Sequence, residues 1–261
     1  MSILDTIVKY KEQEVAAAQK VFPISLLEQA PMYTAEPVSL IKSLQNSKNG
    51  IIAEFKRKSP SKKEINLEST VTSIAKVYQD NQAAAMSVLT DTQFFGGSNQ
   101  DLLVATQHFK NPILRKDFVV STYQIHQAKA LGAHVILLIA AVLTQKQMQE
   151  FAQLAQQLKL EVLVEIHSED ELAKIPFGAH IVYGINNRNL KTFQVDFNKS
   201  IHLVHKLPQQ SLKVAESGLT SVQDIQFLRK HGFNGFLIGE LFMKMTSDQI
   251  HQFFKAVSYE N

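Results

Sequence analysis

Two charged side chains at the end of a short apolar run have the spacing of an acid and a base that could work together. The run Ile51–Ala53 leads into Glu54 and, two residues later, Lys56. Side chains alternate along a strand, so these two share one face, about 7 Å apart at roughly 3.3 Å per residue. Because unpaired buried charge is costly, the pattern fits either a structural ion pair or an acid and a base at the mouth of a barrel.

Polar or ionisable residues also follow later apolar runs: Lys116-Asp117, Glu165, Asn186–Asn189, Glu216-Ser217-Gly218 and Gly239-Glu240. Several have a purely structural alternative. Lys116-Asp117 fits a local ion pair, Glu165 fits a cap with His167-Ser168, and Asn186–Asn189 fits a turn, since Asn tolerates left-handed backbone. Their joint placement favours one shared site, because the active site of a parallel barrel lies at the carboxyl ends of its strands.

The elements that must position these residues alternate between strand and helix. Short apolar runs predict eight strands: Ile51–Lys56, Ala85–Leu89, Pro112–Asp117, Val135–Ile139, Glu161–Ile166, Ile181–Asn186, Leu212–Ser217 and Gly235–Ile238. Amphipathic segments between them predict helices, among them Ser69–Asp80, Tyr123–Leu131, Gln145–Leu158 and Val222–His231. The alternation predicts an α/β fold, a closed (β/α)8 TIM barrel. A doubly wound open sheet is the alternative, but no Gly-x-Gly-x-x-Gly follows the first strand.

The first 50 residues do not follow this repeat. Ile3–Val21 has the apolar spacing of an amphipathic helix, Pro23 and Pro31 interrupt the chain, and Val38–Leu44 predicts a second short helix. No linker or low-complexity tract separates this region from the rest. We therefore expect residues 1–261 to form a single domain, of which residues 1–50 are a helical extension packed over one barrel face.

Composition excludes several classes of protein. The 261 residues are 45% hydrophobic and 20% charged, as in an ordinary globular protein. No apolar stretch reaches the roughly 18 residues that a membrane helix needs, and the N-terminus lacks the features of a signal peptide, so no membrane association is expected. The absence of cysteine excludes disulfides, thiolate zinc sites and a cysteine nucleophile, and it fits a cytoplasmic location.

The charge pattern gives no argument for nucleic acid, and no nucleic-acid partner is expected, although a small anionic substrate explains the basic cluster only as well as a polyanion would. The net charge is only +3, and the Lys/Arg cluster within residues 56–63 suits a small anionic substrate. Ser217-Gly218 and Gly239 predict phosphate binding, because glycine lets the backbone approach an anion closely and barrels often bind phosphate after strands 7 and 8. The nine histidines show no metal-ligand spacing, and no Gly-x-Ser-x-Gly elbow occurs, so we predict neither a metal site nor a serine hydrolase.

The strand-end motifs form an ordered series along the chain: IIAEFKRKSPS at 51–61, SVLT at 87–90 with Phe95-x-Gly97-Ser98, LRKDF at 114–118 with Tyr123-Gln124, LVEIH at 163–167, GINNRNL at 184–190, AESG at 215–218 and LIGE at 237–240. This series resembles the indole-3-glycerol phosphate synthase family of tryptophan biosynthesis over essentially the whole chain. The resemblance implies a carboxy-lyase without a cofactor. Its expected reaction closes 1-(2-carboxyphenylamino)-1-deoxy-D-ribulose 5-phosphate to indole-3-glycerol phosphate, with loss of CO₂ and water.

The resemblance also implies catalytic roles. Lys116 is expected to be the general acid of ring closure, and Lys56 to hold the substrate carboxylate or assist proton transfer. Glu54 and Glu165 are expected to divide the remaining acid–base work, in an order that the sequence leaves open. A lysine acts as an acid near neutral pH only if its pKa is lowered; two lysines in one pocket would lower each other's pKa, and the glutamates would oppose this.

Asn186 and Ser217 complete the expected catalytic set through contacts with the substrate, and the remaining expected site residues bind it. Asn186 is expected to hydrogen-bond it, and Arg188 to bind its benzoate carboxylate through a planar fork. Phe95 and Phe118 are expected to flank the aromatic ring. The other predicted contacts, mostly to phosphate, are Ser59, Glu216, Ser217, Gly218, Gly239 and Glu240.

Two positions depart from the family pattern. Lys63 stands where the family usually has glycine, which predicts a loop that is stiffer or more cationic toward phosphate. Glu240 replaces a small residue found in some members and brings a carboxylate near the predicted phosphate site.

Two other functions compete with the synthase. Phosphoribosylanthranilate isomerase is a related barrel, but its acid–base pair is expected to include a cysteine, which this chain lacks. A non-catalytic barrel that binds a phosphorylated metabolite would be expected to lose the charged site residues, and all of them are present. We expect the chain to be a monomer or a weak homo-oligomer, with no fused partner enzyme because it ends soon after the eighth predicted helix.

Overall fold

Eight parallel strands close into a barrel in a computed structural model that describes residues 2–189 and 194–258. The strands are β1 Ile51–Phe55, β2 Ala85–Leu89, β3 Ile113–Lys116, β4 Val135–Ile139, β5 Glu161–Ile166, β6 Ile181–Asn186, β7 Lys213–Glu216 and β8 Gly235–Ile238. Strand β1 pairs with both β2 and β8, so the barrel prediction is confirmed and the open sheet is excluded. Leu190 of the GINNRNL motif lies outside the described residues.

Helices connect the strands and form the extension. They are α1 Ile3–Val21, α2 Ile24–Leu27, α3 Leu40–Asn46, α4 Val71–Asp80, α5 Thr92–Phe95, α6 Asn99–His108, α7 Thr122–Ala130, α8 Gln145–Gln157, the 3₁₀ helix Glu169–Ala173, α9 Phe197–Val204, α10 Val222–Lys230, α11 Glu240–Lys244 and α12 Ser247–Ser258. Within the described part of the chain, no helix is both long and apolar enough to cross a bilayer.

Alternation along the strands positions the site. A small buried cluster fills the barrel interior, and a larger one lies between the sheet and the helices. Four interior apolar residues are each followed, two positions later, by a charged one: Ile52 by Glu54, Leu114 by Lys116, Leu163 by Glu165 and Val214 by Glu216. Residues two apart share a face, so these charges point into the carboxyl-terminal mouth of the barrel.

The extension packs on both ends of the barrel. Ile3, Leu4 and Ile7 of α1 line the cavity at the carboxyl-terminal mouth. Leu40 and Leu44 of α3 instead join the interior cluster and close the opposite end. The prediction that the extension covers one barrel face is therefore wrong, because the sequence showed two amphipathic segments but not the path between them. The single-domain boundary stays a prediction.

Hydrogen bonds hold the connecting segment along the outside of α7. The Tyr123 hydroxyl donates to the Phe22 carbonyl (2.8 Å), and the Lys129 ammonium donates to the Ala35 carbonyl (2.6 Å). Helix α2, which the sequence analysis did not predict, also packs against α7. Side chains of α7 thus satisfy two backbone carbonyls of this irregular segment, and these bonds attach the segment to the barrel.

A buried lysine fastens α1 to the barrel. The Lys11 ammonium lies 3.0 Å from Asp91 and 3.1 Å from Asp117, which follow β2 and β3. Lys11 and both aspartates are fully or almost fully buried. Burial by itself would lower the pKa of Lys11, but Asp117 and Asp91 raise it above its ordinary value, so the ion pairs hold the lysine charged.

Candidate active site

One cavity of about 720 Å³ opens at the carboxyl-terminal mouth of the barrel. Every predicted site residue lines it: Glu54, Lys56, Ser59, Phe95, Lys116, Phe118, Glu165, Asn186, Arg188, Glu216, Ser217, Gly218, Gly239 and Glu240. The cavity is large enough for a small phosphorylated metabolite. The predicted residues thus share one cavity, while their membership of an active site and their individual roles stay predictions.

Glu54 and Lys56 form an ion pair on the wall of this cavity. The Lys56 ammonium donates to Glu54 Oε1 (2.6 Å), and the Ser87 hydroxyl donates to Glu54 Oε2 (3.3 Å). Burial would raise the pKa of Glu54, but Lys56 and then Lys116 lower it, so the carboxylate is ionised. The sequence offered two alternatives for Glu54 and Lys56, an ion pair or a site at the barrel mouth. The structure shows an ion pair that lies at the barrel mouth, so the two are compatible.

Lys116 lies between two carboxylates from other strands. Its ammonium donates to Glu216 Oε2 (2.5 Å) and lies 3.5 Å from Glu165 Oε2. The alternative of a local Lys116-Asp117 ion pair is wrong, because Asp117 instead pairs with Lys11 and Arg115. Neighbouring residues along an extended chain point in opposite directions, so the Lys116 and Asp117 side chains diverge toward different partners.

The carboxylates determine the charge on Lys116. Burial would lower the pKa of its ammonium, but Glu216, Glu165 and Glu54 together raise it above the ordinary value. The sequence left open whether a neighbouring lysine lowers the pKa of Lys116 or the glutamates raise it, and in the structure the glutamates raise it. Lys116 is fully protonated near neutral pH.

The two carboxylates beside Lys116 titrate differently. Burial would raise the pKa of Glu165, but Lys116 and then His167 lower it. Burial raises the pKa of Glu216 to about 7, with Lys116 opposing the rise and Glu165 adding to it. Near neutral pH, Glu165 is therefore a carboxylate, whereas Glu216 can take up or release a proton.

A glycine makes room for Glu216. A Cβ at Gly184 of β6 would lie only 2.1 Å from Glu216 Oε1, so a larger residue would push this carboxylate away from Lys116. At the other side of the mouth, a Cβ at Gly239 would lie 2.5 Å from Glu54 Oε1. Gly239 thus has a packing reason to be glycine, in addition to its predicted role at phosphate.

The polar turn after β6 orders one rim. Asn186 donates through Nδ2 to Glu165 Oε1 (2.9 Å), and its Oδ1 accepts the backbone N–H of Arg188 (3.0 Å). The Asn187 side chain donates to the Ser217 carbonyl (2.8 Å). The turn and site interpretations of Asn186–Asn189 are therefore compatible, since Asn186 both orders the turn and contacts a cavity carboxylate.

Aromatic and apolar side chains form another wall. The Phe95 and Phe118 ring centroids lie 5.8 Å apart with the planes inclined by 40°. Both rings are half-buried and face the cavity beside Ile3, Leu4 and Ile7. A planar aromatic group would find apolar contacts here.

Backbone geometry shapes the rim after β7. Ser217 and Gly218 both have positive φ, 68° and 75°. A Cβ at Gly218 would also lie 2.4 Å from Val195, so glycine is required twice over. Glycine lets the backbone approach a ligand closely, which fits the predicted phosphate site.

Glu240 pairs with two lysines at the same rim. Its carboxylate accepts hydrogen bonds from Lys62 of the loop after β1 and from Lys244 (2.7 Å). Burial would raise its pKa, but the bonds to Lys244 and Lys62 lower it to about 2. Lys62 lines the cavity, whereas the exposed Lys63 does not, so the extra cation at position 63 lies away from the predicted phosphate contacts.

Replacing Glu240 with glutamine should tighten binding of phosphorylated ligands. The change removes a negative charge and releases two lysines at the rim. Exposed pairs are worth about 1 kcal/mol or less, so we expect KM for a phosphorylated substrate to fall by up to about fivefold. Steady-state kinetics at low salt, with Glu64→Gln as a control outside the cavity, measures this. A higher KM in Glu240→Gln alone would show that Glu240 supports the rim.

The sequence analysis gave no role to several cavity residues. Ile3, Leu4 and Ile7 were assigned only to a helix, and His167 only to a cap. The signal for the helix residues was weak, because an apolar stripe does not reveal what it packs against. His167 had a clearer signal, since it immediately follows a strand whose end carries Glu165. Among the described residues, no group of three or more potential ligands is arranged to hold a metal ion.

Comparison with known proteins identifies the family. The family model for indole-3-glycerol phosphate synthase matches residues 4–256. The chain belongs to the indole-3-glycerol phosphate synthase family. An indole-3-glycerol phosphate synthase from Bacteroides thetaiotaomicron is 43% identical over 257 residues, covering 98% of both chains. One from Legionella pneumophila strain Paris is 43% identical over 244 residues, covering 93% of this chain and 94% of its own.

Solved structures support the fold of this synthase family member. A mutant tryptophan synthase alpha-subunit from Pyrococcus furiosus superposes with a TM-score of 0.55 and 14% identity. The match covers 80% of this chain and 95% of that one. At this identity the likeness shows a shared barrel fold. The predicted barrel fold is confirmed, and the family match confirms the predicted family and its enzyme class, a carboxy-lyase.

Proposed function

We propose that this chain closes 1-(2-carboxyphenylamino)-1-deoxy-D-ribulose 5-phosphate to indole-3-glycerol phosphate, with loss of CO₂ and water. One observation carries the proposal: the Lys116 ammonium is held between Glu216 and Glu165 in the same cavity as the Lys56–Glu54 pair. Membership of the synthase family supports it independently. The reaction needs both proton donors and proton acceptors, and this cavity supplies them.

The cavity has complementary surfaces for the parts of this substrate. Lys56 and Arg188 supply cationic groups for the benzoate carboxylate, and Phe95 and Phe118 supply an apolar wall for its ring. Ser59, the Ser217-Gly218 backbone and Gly239 lie at the rim for the phosphate. The open-chain ketose between the two ends would then lie over Lys116.

Ring closure requires charge stabilisation at the ketone. As the ring carbon that bears the carboxylate attacks the ketone carbon, a C–C bond forms and negative charge develops on the oxygen. Lys116 donates a proton to that oxygen. An alkoxide is more basic than an amine, so the transfer is favourable even from a lysine with a raised pKa. Loss of CO₂ then restores the aromatic ring.

Dehydration requires an acid and a base. The hydroxyl leaves as water with a proton from an acid, and a proton on the adjacent carbon passes to a base, which forms the ring double bond. We assign the base to Glu165, because Lys116 and His167 keep it ionised. Glu216, whose pKa is near neutral, contacts Lys116 directly and can return a proton to it. Lys56, paired with Glu54, is the cation that holds the carboxylate.

Product fluorescence tests the function. The chain contains no tryptophan, so the indole of the product would be read against tyrosine alone. We expect indole fluorescence to grow on addition of the substrate, with release of an equal amount of CO₂. No signal at micromolar enzyme would contradict the proposal. Phosphoribosylanthranilate, the substrate of the competing isomerase, should give no turnover.

A small phosphorylated substrate is consistent with the family assignment. We propose in addition that the chain acts as a monomer or a weak homo-oligomer, which sedimentation at several concentrations would measure. Its cytoplasmic location stays a prediction.

A further inference from the structure

His167 lies beside the carboxylate to which we assign the base role. It is the first residue after β5, and its Nε2 is 3.0 Å from Glu165 Oε1. Its side chain is only 9% exposed, yet it contributes to the cavity wall. Neither ring nitrogen has a hydrogen-bond partner among the described residues, so this is a charge contact, which acts on Glu165 through the charge of the imidazole.

A second carboxylate holds His167 from behind. Glu171, on the 3₁₀ helix, accepts the backbone N–H of His167 at Oε2 (2.7 Å) and the Ser168 hydroxyl at Oε1 (3.2 Å). The same Glu171 Oε2 lies 3.9 Å from His167 Nδ1. The imidazole is therefore placed between Glu165 in front and Glu171 behind, and Glu171 is itself fixed by two hydrogen bonds.

Glu165 has partners on three sides, of which Asn186 gives a hydrogen bond and Lys116 and His167 give charge contacts. Its Oε1 accepts from Asn186 and faces His167, while its Oε2 faces Lys116. Lys116 changes its protonation during the proposed reaction, and Asn186 belongs to the turn that carries Arg188. Among these three, His167 is the partner whose position is fixed by a carboxylate that does not line the cavity.

We propose that His167 is a positioning residue: as an imidazolium backed by Glu171, it holds the Glu165 carboxylate in the orientation in which that carboxylate accepts a proton. The contacts with Glu165 and Glu171 carry this inference. Its kinetic consequences rest on the proposed function, whereas the charge of His167 can be measured without any substrate.

The surrounding charges favour the imidazolium. Burial by itself would lower the pKa of His167, but Glu165, Glu171 and Glu216 raise it above its ordinary value. Lys116 lies on the far side of Glu165, where its positive charge opposes that of the imidazolium. With a raised pKa, His167 is protonated at any pH below the ordinary histidine pKa. It loses the proton only as the pH rises through the raised pKa. Activity that depends on the imidazolium therefore falls on the alkaline side.

Two substitutions separate charge from orientation. His167→Ala removes both, and we expect kcat to fall by about 10- to 100-fold with little change in KM, as for the loss of a group that orients a catalytic residue. His167→Gln keeps a neutral donor, so we expect it to recover part of the rate but to lose the alkaline decrease near the His167 pKa.

Two control variants should match the wild type in kcat and pH profile. They are His180→Gln, at a half-buried histidine that does not line the cavity, and Glu169→Gln, at a solvent-facing residue of the same 3₁₀ helix.

Direct titration separates this inference from the proposed function. The ¹⁵N chemical shifts of the His167 ring, assigned by comparison with His167→Gln, should titrate above the ordinary histidine pKa in substrate-free protein and should shift downward in Glu171→Gln. A neutral His167 at pH 7 would overturn the inference, even if the synthase reaction is observed. Wild-type kcat and an unchanged pH profile in His167→Ala would overturn it as well.

Discussion

Replacing Lys116 with methionine lowers kcat for the synthase reaction by about 10²- to 10⁴-fold, the range supplied by a single general acid, while KM changes little. The proton is transferred to an oxygen that becomes basic only in the transition state, so ground-state binding barely depends on it. Methionine keeps most of the volume of the lysine and removes its charge. Product fluorescence under saturating substrate measures kcat directly.

Lys213→Met is the matched control for this experiment. Lys213 is also a buried lysine at a barrel strand, but it starts β7 and its ammonium donates to the Gln209 carbonyl (3.0 Å), outside the cavity. We expect this variant to keep wild-type kcat. A rate for Lys116→Met within a few-fold of the wild type, in protein with native circular dichroism, would rule out Lys116 as the ring-closure acid.

Replacing Lys11 with methionine lowers the free energy of unfolding by about 3–5 kcal/mol, the usual cost of removing one partner from a buried ion pair. Asp91 and Asp117 lose a cation that lies about 3 Å from each; Asp117 keeps its ion pair with Arg115, so the uncompensated buried charge falls mainly on Asp91. Urea unfolding at neutral pH measures the change. Lys9→Met, an exposed lysine of the same helix, should stay within about 0.5 kcal/mol of the wild type.

A second substitution tests the cause of this loss. Asp91 also caps α5 by accepting the N–H groups of Phe94 and Phe95 at Oδ1, which asparagine can do as well. Adding Asp91→Asn to Lys11→Met removes one unpaired charge but keeps the cap, so we expect it to restore part of the stability. If the double variant is less stable than Lys11→Met, the loss comes from packing and not from charge.

Lowering the pH should reduce the difference in the free energy of unfolding between Lys11→Met and the wild type. Burial would raise the pKa of Asp117, but Arg115 and then Lys11 lower it. A lowered carboxyl pKa adds stability that is present above the unfolded-state pKa and is lost as pH falls through the folded-state value. Once Asp117 is protonated, Lys11 no longer contributes through it. A stability difference that stays constant into strong acid would contradict the ion-pair explanation.

The sequence by itself determined the barrel and the set of residues that meet at its mouth. Alternation along each strand places Glu54, Lys116 and Glu165 on the inward face beside an apolar residue two positions earlier, and this is a local property of the chain. The closure of parallel strands then brings all carboxyl ends to one mouth. These two rules suffice to gather the predicted residues in one cavity without knowledge of any single contact.

The tertiary structure decided which partner each charge has. Lys116 pairs with Glu216, which lies 100 positions later in the chain. Lys11 lies on the buried face of α1, between Ile7 and Val15, and pairs with Asp91 and Asp117 after β2 and β3. The sign of the Lys116 pKa shift and the charge of His167 depend on distances of a few ångströms between such residues. Coulomb energies at this range change steeply with distance and burial, and a local sequence pattern contains neither.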